Sequence, residues 1–300
     1  MERNTKMKVL RTPEERFKNL PGYPYEPNYI ENLQGYEDLR LHYVDEGPKD
    51  SNIVFLCLHG EPSWSYLYRK MIPIFVKAGY RVVAPDLFGF GKSDKPVEDE
   101  IYSLKFHRNA VISFIKSLDL KNIALVCQDW GGSLGLTLPM EMPDRFTRLL
   151  IMNTFLPTSE SELPPGFKKW VDYNNTQPDL AVGKGVAHSV PFLSKEEIAA
   201  YDAPFPDVTY KAGVRTFPNL VSPSFQTFEK ARNYLKNDWS GDSFMAIGLK
   251  DFYIGGPPMH FLRKFIKNCP QPLELEEGDH YLQEWGDIVA KEALKSFGLI

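Results

Sequence analysis

Short apolar runs alternate with longer amphipathic stretches along most of the chain. The longer stretches carry apolar residues at spacings of three and four, which is typical of helices that pack by one face; they cover residues 64–78, 103–117, 131–141, 258–268 and 282–297. The short runs predict β-strands at residues 39–47, 52–60, 80–86, 122–129, 148–153, 243–251 and 272–280. This alternation predicts an α/β fold with a mostly parallel sheet and helices on both faces.

The alternation stops between about Thr154 and Asp238. Pro, Ser and Asn recur there, and short helical pieces such as KEEIAAYDA take the place of strands. We interpret this segment as an inserted helical cap that lies over the ends of the sheet. The sequence thus predicts a core domain made of residues 1–153 and 239–300, and a cap domain made of residues 154–238.

Composition and charge narrow the classes of partner. The chain has 300 residues, a formal net charge of −4 and scattered lysines and arginines, so it lacks the positive surface that binds nucleic acid. The first residues lack the apolar stretch of a secretory signal, and no later stretch is apolar enough for a membrane span. Cys57 and Cys127 lie in or beside apolar runs, where free thiols are usually buried. We expect a cytoplasmic protein with no nucleic-acid or membrane partner, and a monomer.

The stretch CQDWGGSLG, residues 127–135, contains two candidate nucleophiles. Ser133 is the centre of a G-x-S-x-G pattern, and Asp129 stands four residues earlier. A nucleophile elbow needs its reactive residue at the sharp turn directly after a strand, with small residues two positions before and after it. Asp129 meets this requirement, because Cys127 and Gly131 flank it and the apolar run ends beside it. We favour Asp129, and Ser133 then lies about one turn into the following helix.

An aspartate nucleophile that attacks saturated carbon forms an ester, which water must then cleave. This chemistry needs a base for the water and an acid that orients the base. His280 follows the last predicted strand and Asp251 ends the strand before it, so the order nucleophile, acid, histidine is complete. Asp279 is a rival acid, but its side chain should point elsewhere because it is the immediate neighbour of His280.

Two strand ends and the cap supply hydrogen-bond donors. HGEP, residues 59–62, can present the backbone N–H of Glu61 to an oxyanion, and the backbone N–H of Trp130 can complete that hole. The indole N–H of Trp130 donates without useful acidity, which suits a halide leaving group, and Trp170 in the cap is a second possible donor. An epoxide would instead need an acid. Tyrosines of the cap could fill this role, among them Tyr173, Tyr201 and Tyr210.

With HGEPSW, CQDWGG, GLKDFYIG and GDHYLQEWG in this order, the chain resembles the haloalkane dehalogenases of the α/β-hydrolase superfamily. The resemblance runs from RTPEERFKNLPGYPYEPNY to the last helix, and it is nearest to the dichloroethane-type group, whose catalytic acid follows the next-to-last strand. It implies Asp129 as nucleophile, His280 as base, Asp251 as its partner, and a halide held by Trp130 and Trp170. It also implies an α/β-hydrolase fold, no metal or organic cofactor, and an apolar pocket walled by Phe167, Phe217, Pro218 and Val221.

The sequence therefore predicts an enzyme that hydrolyses short haloalkanes to the alcohol and the halide ion. An alkyl ester forms on Asp129, and water activated by His280 cleaves it; the haloalkane and water are the expected partners. Epoxide hydrolysis by the same aspartate and histidine is the alternative. A serine esterase based on Ser133 and a non-catalytic binding protein are further hypotheses, although the intact triad argues against the second of these.

Overall fold

In the computed structural model, which describes residues 7–300, a sheet of eight strands lies at the centre. The described chain contains ten strands: β1 (Val9–Leu10), β2 (Asn28–Ile30), β3 (Leu41–Glu46), β4 (Val54–Leu58), β5 (Arg81–Pro85), β6 (Lys95–Pro96), β7 (Ile123–Gln128), β8 (Phe146–Met152), β9 (Asp242–Gly248) and β10 (Leu273–Leu275). β1 and β6 form a separate antiparallel pair. The large sheet has the order β10-β9-β8-β7-β4-β5-β3-β2.

The sheet is parallel from β10 to β5 and antiparallel only where β3 pairs with β5 and with β2. β4 and β7 are buried at every residue, as expected for parallel strands covered on both faces, and their sequences show continuous apolar runs. These observations confirm the mostly parallel sheet predicted from the sequence. β2 was not predicted, because three half-buried residues at the sheet edge are too few to show a period.

Several helices flank the sheet, and none in residues 7–300 is both long enough and apolar enough to cross a membrane. The helix predicted at 64–78 is divided into a 3₁₀ segment, Ser65–Lys70, and an α-helix with Pro73 in its first turn, where proline is tolerated. The α-helices of the described chain are α1 (Ile72–Lys77), α2 (Leu104–Ser117), α3 (Asp129–Gly135), α4 (Pro165–Thr176), α5 (Val182–Ser189), α6 (Lys195–Asp202), α7 (Ala212–Thr216), α8 (Val221–Asn237), α9 (Gly256–Arg263) and α10 (Gly286–Ser296).

Helices α4 to α8 occupy the segment between β8 and β9 that the sequence predicts to be a cap. A buried ion network links this segment to the 3₁₀ segments Ser65–Lys70 and Leu282–Trp285. Arg69 donates to both carboxylate oxygens of Glu284, at 2.6 and 2.9 Å, and to Glu197 of α6 at 2.8 Å. The Tyr201 hydroxyl of α6 also donates to Glu284. The guanidinium of Arg69 therefore joins a residue within the predicted cap segment to a residue that follows it in the chain. The division of the chain into two domains stays a prediction.

The close approach of α3 to β4 depends on the absence of a side chain at Gly131. A Cβ at this position would come within 2.0 Å of the Leu58 carbonyl oxygen. We expect Gly131→Ala to lower the free energy of unfolding by about 1 to 3 kcal/mol, because the two backbones would have to separate. Gly185→Ala in α5 is the matched control, since its Cβ would meet nothing within 4 Å; it should raise the stability by about 0.5 to 1 kcal/mol.

Urea unfolding followed by circular dichroism measures both changes. Equal stabilities of Gly131→Ala and the wild type would contradict the close approach of α3 to β4.

Candidate active site

Asp129 lies at the turn between β7 and α3 and has a left-handed backbone, with φ of 52°. This conformation costs a residue with a side chain about 1 to 2 kcal/mol, so neighbouring contacts must hold it. Its N–H donates to the Asn153 carbonyl oxygen at 2.8 Å. Ser133 is buried inside α3, and its hydroxyl donates to the Phe155 carbonyl oxygen at 2.8 Å. The sharp turn therefore presents the side chain of Asp129, while that of Ser133 is engaged in packing.

Backbone N–H groups surround the largely buried carboxylate of Asp129. The N–H of Glu61 donates to its Oδ1 at 2.8 Å. Burial raises the pKa of Asp129, whereas the charge of His280 and the N–H groups of Trp130 and Glu61 lower it and limit the rise. These contacts favour the anionic form. The two amides are the same two that the sequence predicts for an oxyanion hole.

His280 follows β10 and lies between two aspartates. Its Nε2 is 3.6 Å from Asp129 Oδ2, and its Nδ1 is 2.9 Å from Asp251 Oδ2. Because an ionised carboxylate only accepts, Nδ1 carries the proton in the neutral ring, and Nε2 is the basic nitrogen. Burial lowers the pKa of His280, but the charges of Asp251, Asp129 and Asp279 outweigh it and raise the pKa to about 9. The ring is therefore a stronger base than an isolated histidine.

Hydrogen bonds fix the orientation of the buried Asp251 carboxylate. Oδ2 accepts from Asn153 Nδ2 at 2.8 Å in addition to His280, and Oδ1 accepts from the N–H groups of Tyr253 and Ile254 at 2.7 and 3.2 Å. Asn153 was not among the site residues predicted from the sequence. Its signal was available, since Asn153 is a polar residue directly after β8, in the same type of position as the predicted site residues.

Asp279, the rival acid, is turned toward the backbone. Its Oδ1 accepts from the backbone N–H of His280 at 2.6 Å. Its charge adds to the negative potential around the imidazole, but the ring nitrogen Nδ1 bonds to Asp251. Asp251 is therefore the residue that orients His280.

Gln128 is another buried polar residue that the sequence analysis missed. It lies at the end of β7, and its Nε2 is 3.0 Å from His280 Nε2 and 3.0 Å from the His280 carbonyl oxygen. An amide N–H can donate to Nε2 only when the ring is neutral, so this contact favours the neutral imidazole and opposes the nearby carboxylates. The signal in the sequence was a polar residue in an apolar strand, directly before Asp129.

Asp129 and His280 line a cavity of about 460 Å³, which lies between the strand ends and helices α4 and α5. Trp170 and Phe167 of α4 line this cavity. Trp130 is buried at the start of α3, where its ring packs edge-on against Phe217 with 5.3 Å between the ring centroids. Asp129, His280 and Trp170 thus line one cavity, and Asp251 is bonded to His280, whereas Trp130 is not among the residues that line this cavity.

The four predicted wall residues are divided between different places. Phe167 lines the cavity and Phe217 packs on Trp130, whereas Pro218 and Val221 line a separate hollow of about 190 Å³. A 3₁₀ segment, Phe217–Leu220, passes here into α8, so successive side chains point in different directions. Position along the chain alone does not reveal which of them faces the substrate.

The side chain of Glu61 adds an acid to the cavity. Burial raises the pKa of this carboxyl well above its usual range, the charge of Asp129 raises it further, and the Trp170 indole lowers it only partly. Its Oε1 has no hydrogen-bond partner in residues 7–300. Glu61 therefore combines a backbone donor with a carboxyl group whose protonated form is favoured by burial beside Asp129.

Comparisons with known proteins place this fold and site in a class. The family model described as alpha/beta hydrolase fold matches residues 53–287. A haloalkane dehalogenase from Psychrobacter cryohalolentis is 53% identical over 218 residues, which are 72% of this chain and 71% of that protein. A haloalkane dehalogenase from Mycolicibacterium paratuberculosis is 41% identical over 285 residues, which are 93% and 94% of the two chains.

A solved structure agrees with these relatives. The tetrameric haloalkane dehalogenase DpaA from Paraglaciecola agarilytica is 52% identical, with a TM-score of 0.95 over 98% of this chain and 100% of that chain. The sheet, the turn at Asp129 and the family match define the protein as an α/β-hydrolase. Its sequence identity of 41% to 53% to these relatives defines the family within that class: the chain belongs to the haloalkane dehalogenases. This confirms the resemblance and the fold predicted from the sequence.

Replacement of Gln128 by methionine tests its contact with His280. Methionine has a similar length and cannot donate, so the neutral imidazole loses a hydrogen bond, and we expect the pKa of His280 to rise by up to about one unit. NMR titration of the ring resonances in the free enzyme measures this shift. Ser133→Ala is the matched control, because it removes a buried hydrogen bond in α3 without contacting His280. An unchanged or lower pKa in Gln128→Met would show that Gln128 does not favour the neutral ring.

Proposed function

We propose that this protein hydrolyses short haloalkanes to the alcohol and the halide ion, with Asp129 as the nucleophile. The observation that carries the proposal is the left-handed turn that presents the Asp129 carboxylate to the cavity beside His280. Membership of the haloalkane dehalogenases supports the same reaction. Haloalkane and water are the only reactants, and no step requires a metal or an organic cofactor.

In the first step, a carboxylate oxygen of Asp129 attacks the carbon from the side opposite the halogen and displaces the halide. The carboxylate acts as its anion, so no base is needed. We assign the leaving halide to the indole N–H groups of Trp130 and Trp170, because these donors stabilise an anion without transferring their protons. Phe167 and Phe217 exclude water from the reacting carbon.

In the second step, water attacks the carboxyl carbon of the ester, and His280 takes a proton from this water at Nε2. Ester formation removes the negative charge of Asp129, which is one of the charges that raise the pKa of His280. In the ester intermediate, the pKa of His280 is therefore lower than its value of about 9 in the free enzyme. The neutral ring, which is the form that can accept a proton from water, is favoured during ester hydrolysis. Asp251 stabilises the resulting imidazolium, and the N–H groups of Glu61 and Trp130 bind the oxyanion. The bond between the carboxyl carbon and the alkoxy oxygen then breaks, the alkoxide takes the proton from His280 and leaves as the alcohol, and the Asp129 carboxyl group releases a proton to water.

We also propose that residues 154–238 form a cap domain on a core made of residues 1–153 and 239–300. Trp170 and Phe167 line the cavity from α4, the first helix of this segment. The ion network of Arg69 supports a cap that covers the cavity while it stays tied to the core.

Epoxide hydrolysis is a second reaction that the site supports, because the cavity contains an acid. Burial raises the pKa of Glu61 well above its usual range, so this carboxyl holds a proton beside Asp129 that an opening epoxide can accept. The same aspartate and histidine would carry the two steps. Diol formation from 1,2-epoxybutane distinguishes this activity from dehalogenation.

We propose a cytoplasmic location and an assembly of several chains. Cys57, Cys127 and Cys269 are buried free thiols, which supports a reducing compartment. The sequence predicts a monomer, but the similar dehalogenase DpaA is tetrameric, and this favours an oligomer over that prediction. Light scattering compares the mass in solution with 34.4 kDa for one chain.

Halide release distinguishes Asp129 from its rival nucleophile. We expect the wild type to release bromide from 1,2-dibromoethane, and Asp129→Ala to lose at least about a thousand-fold in rate, as removal of a nucleophile does. Ser133→Ala is the matched control and should keep most of the rate, because that hydroxyl donates to the Phe155 carbonyl oxygen and not into the cavity. Ion chromatography measures the bromide. Activity that survives in Asp129→Ala and is lost in Ser133→Ala would identify Ser133 as the nucleophile, and no release by the wild type would contradict the proposed reaction.

A further inference from the structure

A second cavity, of about 610 Å³, lies next to the catalytic one and is larger. It runs between residues 155–166, which lead from β8 into α4, and residues 251–265, which lead from β9 through α9. Phenylalanine, leucine and proline dominate its lining, and Arg232 of α8 forms part of its wall. We call this cavity the Arg232 groove. No step of the proposed reaction uses it.

Arg232 is only 8% exposed, yet most of its hydrogen-bonding capacity is unused. Its Nη1 lies 3.4 Å from the Leu156 carbonyl oxygen, 3.4 Å from the Thr158 hydroxyl and 3.3 Å from the Ser161 hydroxyl. These are long contacts, and one nitrogen with two protons cannot satisfy all three acceptors. Within residues 7–300, Nε and Nη2 have no hydrogen-bond partner, and the guanidinium forms no salt bridge. A buried guanidinium is normally paired. The charges of Glu160 and Glu229 act on Arg232, but neither residue forms a salt bridge with it, so its positive charge is only partly compensated.

Aromatic rings hold the guanidinium and form the rim of the groove. The guanidinium carbon of Arg232 lies 3.6 Å from the ring centroid of Phe265 and 5.1 Å from that of Phe261. These contacts stabilise the cation without using its N–H donors. Phe252 and Phe261 are 61% and 47% exposed, so an apolar chain that enters the groove would remove their rings from water.

Charges at the rim have both signs. Glu160 and Glu162 are exposed at the mouth of the groove. Lys169 and Lys264 lie above the exposed rings of Phe252 and Phe261, at 5.2 and 5.9 Å from the ring centroids. Because solvent screens these exposed charges, the buried guanidinium determines which charge a bound head group must carry.

We propose that the Arg232 groove binds an amphipathic carboxylate. The two oxygens of the carboxylate pair with Nε and Nη2 of Arg232, since the guanidinium fork matches this group with two parallel hydrogen bonds. The alkyl chain lies along Phe252, Phe261 and Phe265. The volume of the groove is within the range of small-molecule sites. This site does not depend on the reaction proposed for Asp129.

A ligand in the groove would contact the loop that carries the catalytic acid. Asp251 and Tyr253 contribute to the groove wall, and Tyr253 also lines the catalytic cavity. Gly166 of α4 packs against the backbone of Phe252, where a Cβ would come within 2.0 Å of the carbonyl oxygen. A ligand in the groove would therefore contact both the loop of Asp251 and helix α4, which carries Trp170. Through these contacts it could change the rate of turnover.

Titration calorimetry of the full chain with sodium decanoate, and with decan-1-ol as the uncharged control, tests the proposal. We expect Arg232→Gln to weaken decanoate binding by at least about tenfold, because a charged pair of hydrogen bonds is lost, and to leave decanol binding unchanged. Arg232→Lys should keep part of the affinity for decanoate. Glu160→Gln should tighten decanoate binding about twofold, since it removes a negative charge near the head group.

Circular dichroism and bromide release from 1,2-dibromoethane show whether each variant is folded. Equal affinity of decanoate for the wild type and Arg232→Gln overturns the proposal. Competitive inhibition of bromide release that is the same in both proteins would place decanoate in the catalytic cavity instead, and this too overturns it. Dissociation of an assembly in Phe252→Ser and Arg232→Gln, measured by light scattering, would show that a second copy of the chain covers the groove.

Discussion

The left-handed backbone of Asp129 is the constraint on which the geometry of the active site depends. Three contacts from neighbouring strands impose it. The Asn153 carbonyl accepts the Asp129 N–H, the Glu61 N–H holds the carboxylate, and Gly131 lets the chain pass close to the Leu58 carbonyl oxygen. Because β4, β7 and β8 are adjacent parallel strands, their carboxyl ends bring these groups to one place. Contacts at the ends of these strands thus offset the strain of the turn that presents the Asp129 carboxylate to the substrate.

The basicity of His280 is governed by charges that change during the proposed reaction. Three carboxylates raise its pKa to about 9, while burial and the amide of Gln128 favour the neutral ring. One of those carboxylates is Asp129, whose charge disappears when the ester forms. In a largely buried site such a change is weakly screened, so the first step prepares the base for the second. Asp251 accepts three further hydrogen bonds, which keep its carboxylate directed at His280.

The predictable part of the site lies at the ends of strands. Asp129 directly follows β7, and Asp251 and His280 lie in the turns after β9 and β10. The small residues around position 129 distinguished the aspartate from Ser133. Gln128 and Asn153 show the local signal of a polar residue at a strand end, but their partners are 152 and 98 residues away in the chain, and no local pattern records those contacts. The walls of the pocket were assigned by resemblance. For Pro218 and Val221 the packing of the 3₁₀ segment against α8, which local sequence does not specify, decides the direction of the side chain.

The central claim is that the alkyl group is transferred to Asp129 before water acts. A single turnover of 1,2-dibromoethane by excess enzyme in heavy-oxygen water, followed by mass spectrometry of the peptide that contains residue 129, tests it most directly. Attack of water on the ester carboxyl carbon predicts heavy oxygen in Asp129 and ordinary oxygen in the first alcohol released. Heavy oxygen in the alcohol, with Asp129 unlabelled, would mean that water attacks the alkyl carbon, in the haloalkane or in the ester, and it would contradict attack on the ester carboxyl carbon.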